Sequence, residues 1–167
     1  INICGVGNTI SHCEIFDLPG FAIYVHGNDH LVEYNKISDV IKEVGDAGAI
    51  YIGRDLSEVG NIFRYNFIYN ITGNEKSDMG VTAIYFDDYS SFNAVYGNYF
   101  YNIRQSDNSS PFGVVFWNCG GQTSVSQNIF IDCPVSIRPT LNGSYGASVV
   151  MKKSDLQIKR LYAKPDD

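Results

Sequence analysis

Asn35, Asn66, Asn98 and Asn128 recur along this chain at steps of 31, 32 and 30 residues. Each sits in one pattern, apolar-x-x-Asn-x-apolar-x-x-apolar, as in Val32-Glu-Tyr-Asn-Lys-Ile-Ser-Asp-Val40 and Val95-Tyr-Gly-Asn-Tyr-Phe-Tyr-Asn-Ile103. Ile10 to Leu18 fits as well, with Cys13 at the Asn position. A period in this range decides the architecture before any local reading does, because each unit cannot bury an apolar face alone and must stack on its neighbours. Between these segments lies a second repeat. Ala22-Ile-Tyr-Val-His26, Ala49-Ile-Tyr-Ile-Gly53, Ala83-Ile-Tyr-Phe-Asp87 and Val114-Val-Phe-Trp-Asn118 are versions of one five-residue strand, with a weaker copy in Pro134-Val-Ser-Ile-Arg138.

Strand alternation divides that five-residue unit into two faces. One carries Ile23/Val25, Ile50/Ile52, Ile84/Phe86, Val115/Trp117 and Val135/Ile137, apolar in every copy. The other carries the column Tyr24, Tyr51, Tyr85 and Phe116, with His26, Gly53, Asp87, Asn118 and Arg138 beside it. Three short strands per repeat, no helical period and an Asn at one corner predict an all-β fold: a right-handed parallel β-helix of about five to six coils. Asn is the non-glycine residue best suited to a tight left-handed corner, and stacked side-chain amides can bond from coil to coil.

The boundaries follow in order. Residues 1–18 form an incomplete first coil, and 19–40 a compact one with a turn at His26-Gly-Asn-Asp-His30. Coils at 49–71, 83–103, 113–133 and 134–142 follow, separated by insertions at 41–48, 72–82 and 104–112. All three insertions enter just before the strand bearing the tyrosine column, the arrangement by which solenoids build a binding face. The β-helix domain is expected over 1–143. Residues 144–167 form a tail, in which Ser154 to Lys164 carries the signals of a short capping helix or remains disordered. The chain starts at Ile1 in mid-repeat, as expected of a fragment or processed product.

Twelve Tyr, ten Phe and sixteen Gly suit strands and turns. A net charge of −6 argues against nucleic acid and anionic membranes as partners, and no run reaches the roughly 18 apolar residues of a membrane-spanning helix. The four cysteines read as small apolar fillers, with a Cys119–Cys133 bridge as the alternative. No cofactor and no transition-metal site is implied.

Chemistry is expected on the tyrosine column and the insertions before it. Asp46 ends the first insertion, Asp87 closes the strand of the next coil, and Asp88 starts the following turn. Adjacent coils stand about 4.8 Å apart, so Asp46 and Asp87 fall in the roughly 5–10 Å range used by glycosidase acid/base pairs. Stacked aromatics beside them suit sugar rings. Other readings stand for the same residues: Asp87 and Asp88 as turn caps or as ligands of a calcium ion, Arg54 as the partner of Asp55 or Asp88, His26 and His30 as surface turn residues, and the tyrosines as plain inter-coil stacking.

Four runs carry a resemblance: Asp46-Ala-Gly-Ala-Ile-Tyr-Ile-Gly-Arg54, Asn61-Ile-Phe-Arg-Tyr-Asn66, Ala83-Ile-Tyr-Phe-Asp-Asp88 and Val95-Tyr-Gly-Asn-Tyr-Phe-Tyr-Asn102. Over about residues 8–142 the chain resembles the bacterial right-handed parallel β-helix repeat proteins of polysaccharide-degrading systems. Within these it is similar to the glycoside hydrolase family of parallel β-helix α-L-fucosidases and xylanases. The resemblance implies hydrolysis of a complex polysaccharide, a secreted, periplasmic or cell-surface setting, and Asp46 with Asp87 as the matching catalytic pair. Substrate contacts are expected from Tyr24, Tyr51, Tyr85, Phe116, His26, Arg54, Asn118 and Arg138. A polysaccharide lyase of the same fold ranks second, because the outward columns offer only His26 and Arg138 as a base or charge neutraliser. A non-catalytic glycan-binding or structural fragment is the third reading.

Overall fold

A computed structural model describes residues 1–73, 80–105, 114–118 and 122–140. Among these residues the fold is all-β, without a helix, and every strand pairing is parallel. Strands are numbered in chain order. The first sheet runs β1 (Asn2–Ile3), β4 (Ile23–Val25), β7 (Ala47–Gly53), β10 (Val81–Asp87), β13 (Val115–Asn118), β16 (Ile137–Thr140). The second runs β2 (Thr9–Ser11), β5 (Leu31–Glu33), β8 (Ile62–Arg64), β11 (Ala94–Tyr96), β14 (Ser124–Ser126). The third runs β3 (Glu14–Phe16), β6 (Lys36–Ser38), β9 (Phe67–Thr72), β12 (Tyr99–Arg104), β15 (Ile129–Ile131). Each sheet takes every third strand of the chain, an order compatible with a parallel β-helix.

The interior consists of apolar columns that run across the coils. Ile23, Ile50, Ile84 and Val115 stand in register in the first sheet. Ile10, Val32, Phe63, Val95 and Val125 do so in the second, and Ile15, Ile37, Ile68, Phe100 and Phe130 in the third. β-Branched and aromatic residues fill these positions because they pack well on a pleated surface. Column residues thus pack on their equivalents in adjacent coils, and those of the middle coils are fully buried.

The expected Asn ladder is present. Asn66 Oδ1 accepts the Asn35 backbone N–H at 3.0 Å and its side-chain amide at 3.1 Å. Asn66 Nδ2 donates in turn to Val32 O at 2.9 Å and Asn98 Oδ1 at 3.0 Å. Asn98 repeats the contacts with Asn128, and the Cys13 N–H closes the other end on Asn35. The Asn is not the left-handed residue, however. Positive φ falls on the residue before it, at His12 (56°), Tyr34 (54°), Tyr65 (55°), Gly97 (67°) and Gln127 (55°). It falls again at Asp17 (58°), Asp39 (53°), Asn70 (52°), Asn102 (53°) and Asp132 (55°), where the Asx preference applies. For tyrosine the conformation is unfavourable by roughly 1–2 kcal/mol, and stacking of His12 on Tyr34 and Tyr34 on Tyr65, both at 5.2 Å between ring centroids, offsets part of it.

A second ladder, absent from the sequence reading, lies at the corner before the second sheet. Asn61 Oδ1 accepts the His30 N–H at 3.0 Å, and Asn93 Oδ1 accepts the Asn61 N–H at 3.0 Å. His30 takes an Asn position here: Nδ1 accepts the Asn8 N–H at 3.1 Å and Nε2 faces His26 O at 3.0 Å. It is 1% exposed, a buried ladder member and not the surface turn residue expected of it. His26, by contrast, remains partly exposed.

Several boundaries differ from expectation. β7 and β10 begin inside the first two insertions and pair from Ala47↔Val81 to Gly53↔Asp87, so the ends of those insertions are strand. β12 likewise extends to Arg104, which pairs with Thr72. Ile41, assigned to an insertion, is buried in the core. The last repeat is also displaced by two residues: Ile137, not Val135, faces Val115, and Arg138 faces Phe116. A two-residue slip preserves which side chains face inward. It moves Arg138 out of the His26/Gly53/Asp87 column and into line with the tyrosines. The proposed tail and capping helix at 144–167 lie outside the described residues. Cys4, Cys13 and Cys133 are free thiols.

Asn66→Ala removes two acceptor contacts and two donor contacts from a residue that is 1% exposed. Leaving buried backbone groups unmet predicts a loss of about 3 kcal/mol in urea unfolding. A loss no larger than that of an exposed substitution such as Lys42→Ala would contradict the structural role of the ladder.

Candidate functional site

The outward column of the first sheet assembles as the spacing implied. Tyr24, Tyr51 and Tyr85 are in register across β4, β7 and β10. Phe116 joins the column by backbone register in β13, opposite Tyr85, and Asn118 ends that strand opposite Thr140 of β16. Tyr24 and Tyr51 stack at 4.9 Å and 5°, while Tyr85 meets Tyr51 edge-on at 5.3 Å. Burial departs from a simple sugar platform. Tyr51 is 7% and Tyr85 2% exposed, Tyr24 is half-buried, and Phe21 packs on both Tyr24 and Tyr51. Of the three tyrosines, Tyr24 is the most exposed.

The inner tyrosines spend their hydroxyls on the two candidate carboxylates. Tyr51 donates to Asp87 Oδ2 at 2.5 Å, and Tyr85 donates to Asp46 Oδ1 at 3.0 Å. Tyr85 also feels Asp87, so one phenol lies under the influence of both carboxylates. Burial, reinforced by Asp87, pushes both phenols well above their ordinary value, which keeps them as O–H donors.

Asp87 does not point into solvent as the alternation suggested; it is 2% exposed. Its Oδ2 also accepts Arg54 Nε at 2.7 Å, and its Oδ1 accepts the Asp88 N–H at 2.8 Å. Arg54 therefore pairs first with Asp87 and more distantly, at 3.9 Å, with Asp88. Asp46, in left-handed backbone (φ 52°) just before β7, is half-buried. The face thus holds one enclosed carboxylate with three donors and one accessible carboxylate with a phenol. Among the described residues no group of three or more His, Cys, Asp and Glu side chains is placed to hold a metal.

Two glycines make this closeness feasible. A Cβ on Gly53 would stand 2.5 Å from Asp87 O and 2.7 Å from its Cβ. A Cβ on Gly48 would stand 2.7 Å from the Cβ of Tyr85. A glycine inside a strand often marks such close approach, and here it was the available sequence signal.

Sequence reasoning missed Glu58. Its Oε1 lies 3.2 Å from His26 Nδ1 and accepts the Gly27 N–H at 3.1 Å. His26 in turn meets Tyr24 edge-on at 4.4 Å. Glu58 follows Arg54 in the connection after β7, a stretch with no repeated counterpart, so only coil stacking reveals its partner. Burial pushes Glu58 above the ordinary carboxylate range, against the opposing effect of His26.

Two outcomes are expected. Gly53→Ala displaces the Asp87 backbone and lowers stability by about 1–3 kcal/mol in denaturant unfolding, the usual range for overpacking; an unchanged midpoint would contradict the contact. For Glu58 a raised folded-state pKa means the folded state binds the proton more tightly than the unfolded chain. Its stabilising contribution is present at low pH and is lost as pH rises above the ordinary glutamate value of 4.5. The melting temperature of wild type relative to Glu58→Gln falls over that rise; a constant difference would refute the assignment.

No protein-family model, no curated protein and no solved structure matches the chain.

Proposed function

We propose that the chain is a right-handed parallel β-helix of five to six coils that acts on carbohydrate, as a glycoside hydrolase using Asp46 and Asp87. The handedness follows the general rule that parallel strands joined by a crossover wind to the right. The observation that carries the function is the meeting of Asp46 and Asp87, 41 positions apart in sequence, around the single phenol of Tyr85. Glycoside hydrolysis needs one carboxyl that delivers a proton and one that remains an anion, and unequal surroundings separate those roles. Asp87, held by Tyr51, Arg54 and the Asp88 N–H, suits the anion. Asp46, half-buried and with Tyr85 as the one hydrogen-bond partner of its carboxyl among the described residues, suits proton exchange with a leaving group or water.

The lyase reading is weaker on this geometry, because Arg54 is engaged by Asp87 and Arg138 stands in a different column from the one expected. Enclosure of Asp87 favours a second reading: a glycan-binding or structural β-helix whose buried polar network only rigidifies the sheet.

A polysaccharide panel assayed for reducing ends and for unsaturated products distinguishes these readings. Asp87→Asn and Asp46→Asn are each expected to lower hydrolysis by about 10²–10⁴-fold while circular dichroism stays unchanged. Reducing ends released equally well by both variants would refute the carboxylate pair. Saturable binding without turnover would establish the second reading, and unsaturated products the lyase.

A further inference from the structure

At the Tyr24 end of the column stands His26, one of the expected substrate contacts, paired with a carboxylate that the Asp46/Asp87 chemistry leaves unused. His26 directly follows β4, and Glu58 reaches it from the connection after β7. Glu58 is 8% exposed, and its Oε2 is buried with no hydrogen-bond partner among the described residues. The His26 side chain is 39% exposed.

The hydrogen positions follow from the contacts. With Glu58 ionised, its Oε1 accepts both the Gly27 N–H and the hydrogen on His26 Nδ1. With Nδ1–H turned inward, the neutral ring presents an unprotonated Nε2 lone pair outward. No described residue hydrogen-bonds that nitrogen.

We propose that His26 and Glu58 form a hydrogen-bond-accepting subsite for a neutral sugar hydroxyl at the Tyr24 end of the tyrosine column. The inference rests on the reading of this face as glycan-directed. Phe21, 36% exposed, packs 5.6 Å from the Tyr24 ring and extends the apolar ground on which a sugar's C–H face rests. The lone pair at its edge then takes an O–H.

Charge selects the ligand class. Behind His26 stands Glu58, whose proton affinity is raised by burial and, to a smaller extent, by nearby Asp55. Arg54, the neighbouring guanidinium, is committed to Asp87. An acidic sugar brought to this edge would meet a lone pair backed by carboxylates, whereas a hydroxyl donor meets a matched acceptor. His26 and Asp87 stand two coils apart in one column, roughly 10 Å. The subsite therefore reads a ring beyond the bond that Asp46 and Asp87 face. Glu58 is the positioning residue.

Long-range proton–nitrogen NMR of the histidine rings, recorded on the full chain at neutral pH, tests this. Wild type is expected to show His26 with Nδ1 protonated and Nε2 bare. Glu58→Ala is expected to return it to the Nε2–H form, while Glu58→Gln, which keeps an acceptor oxygen, retains the wild-type form. A panel of neutral oligosaccharides, cellotriose among them, is then titrated beside trigalacturonate. At least one neutral member is expected to shift the His26 Nε2 signal, and Glu58→Ala to abolish that shift. An Nε2–H ring in wild type, a signal that no neutral sugar moves, or one moved by trigalacturonate alone would overturn the proposal. None of these readouts needs turnover, so this proposal and the Asp46/Asp87 assignment fail separately.

Discussion

A coil that turns from one sheet to the next strands its corner N–H groups away from any β-ladder, inside a stack that excludes water. An unmet buried backbone group costs about 1–3 kcal/mol, and each coil has such corners. Here the donors are met by side chains of the next coil: Asn66 for Asn35, Asn98 for Asn66, Asn61 for His30, Asn93 for Asn61. The apolar columns supply the burial that favours the stack, but a two-residue slip would keep every side chain on its own face. The amides forbid such a slip, because each joins a specific backbone N–H to a specific oxygen.

That fixed register makes the candidate site. Ala47 to Gly53 and Val81 to Asp87 pair along their full length. This brings Tyr51 onto Asp87, and Tyr85 onto an aspartate at the start of the previous coil. Gly48 and Gly53 remove the side chains that would hold the two strands' contents apart. The same stacking carries Glu58 back to His26. None of these contacts is local. Each joins residues at least 32 positions apart, on different coils.

Periodicity made the sheets, the inward columns and the Asn35–Asn128 ladder legible, because each leaves one mark per repeat. Features without that regularity were misread. Asn61 and Asn93 stand five positions before ladder asparagines and looked incidental, since the same corner carries His30 one coil earlier. The left-handed corners were assigned to the wrong Asn: tyrosine is a poor left-handed residue, and its tolerance at positions 34 and 65 depends on ring stacking visible only in three dimensions. The Asn/Asp column at positions 17, 39, 70, 102 and 132 did bear the expected chemistry. At the site, alternation identified the face of Asp87 and the tyrosines but not their burial. Glu58 left no signal, because its partner is set by coil geometry and not by spacing.

The amide ladders also restrict how such a chain can change length. A loop at the corner before the first sheet can grow by any number of residues, since neither amide ladder passes through it. Within the stack only whole turns can be gained or lost. A cut after Asn35 rejoined after Asn66 restores matching donors and acceptors, whereas a cut that ends part-way round a coil leaves two ladders out of step. The ladders quantise this molecule in whole coils, whose lengths vary with the loops they carry.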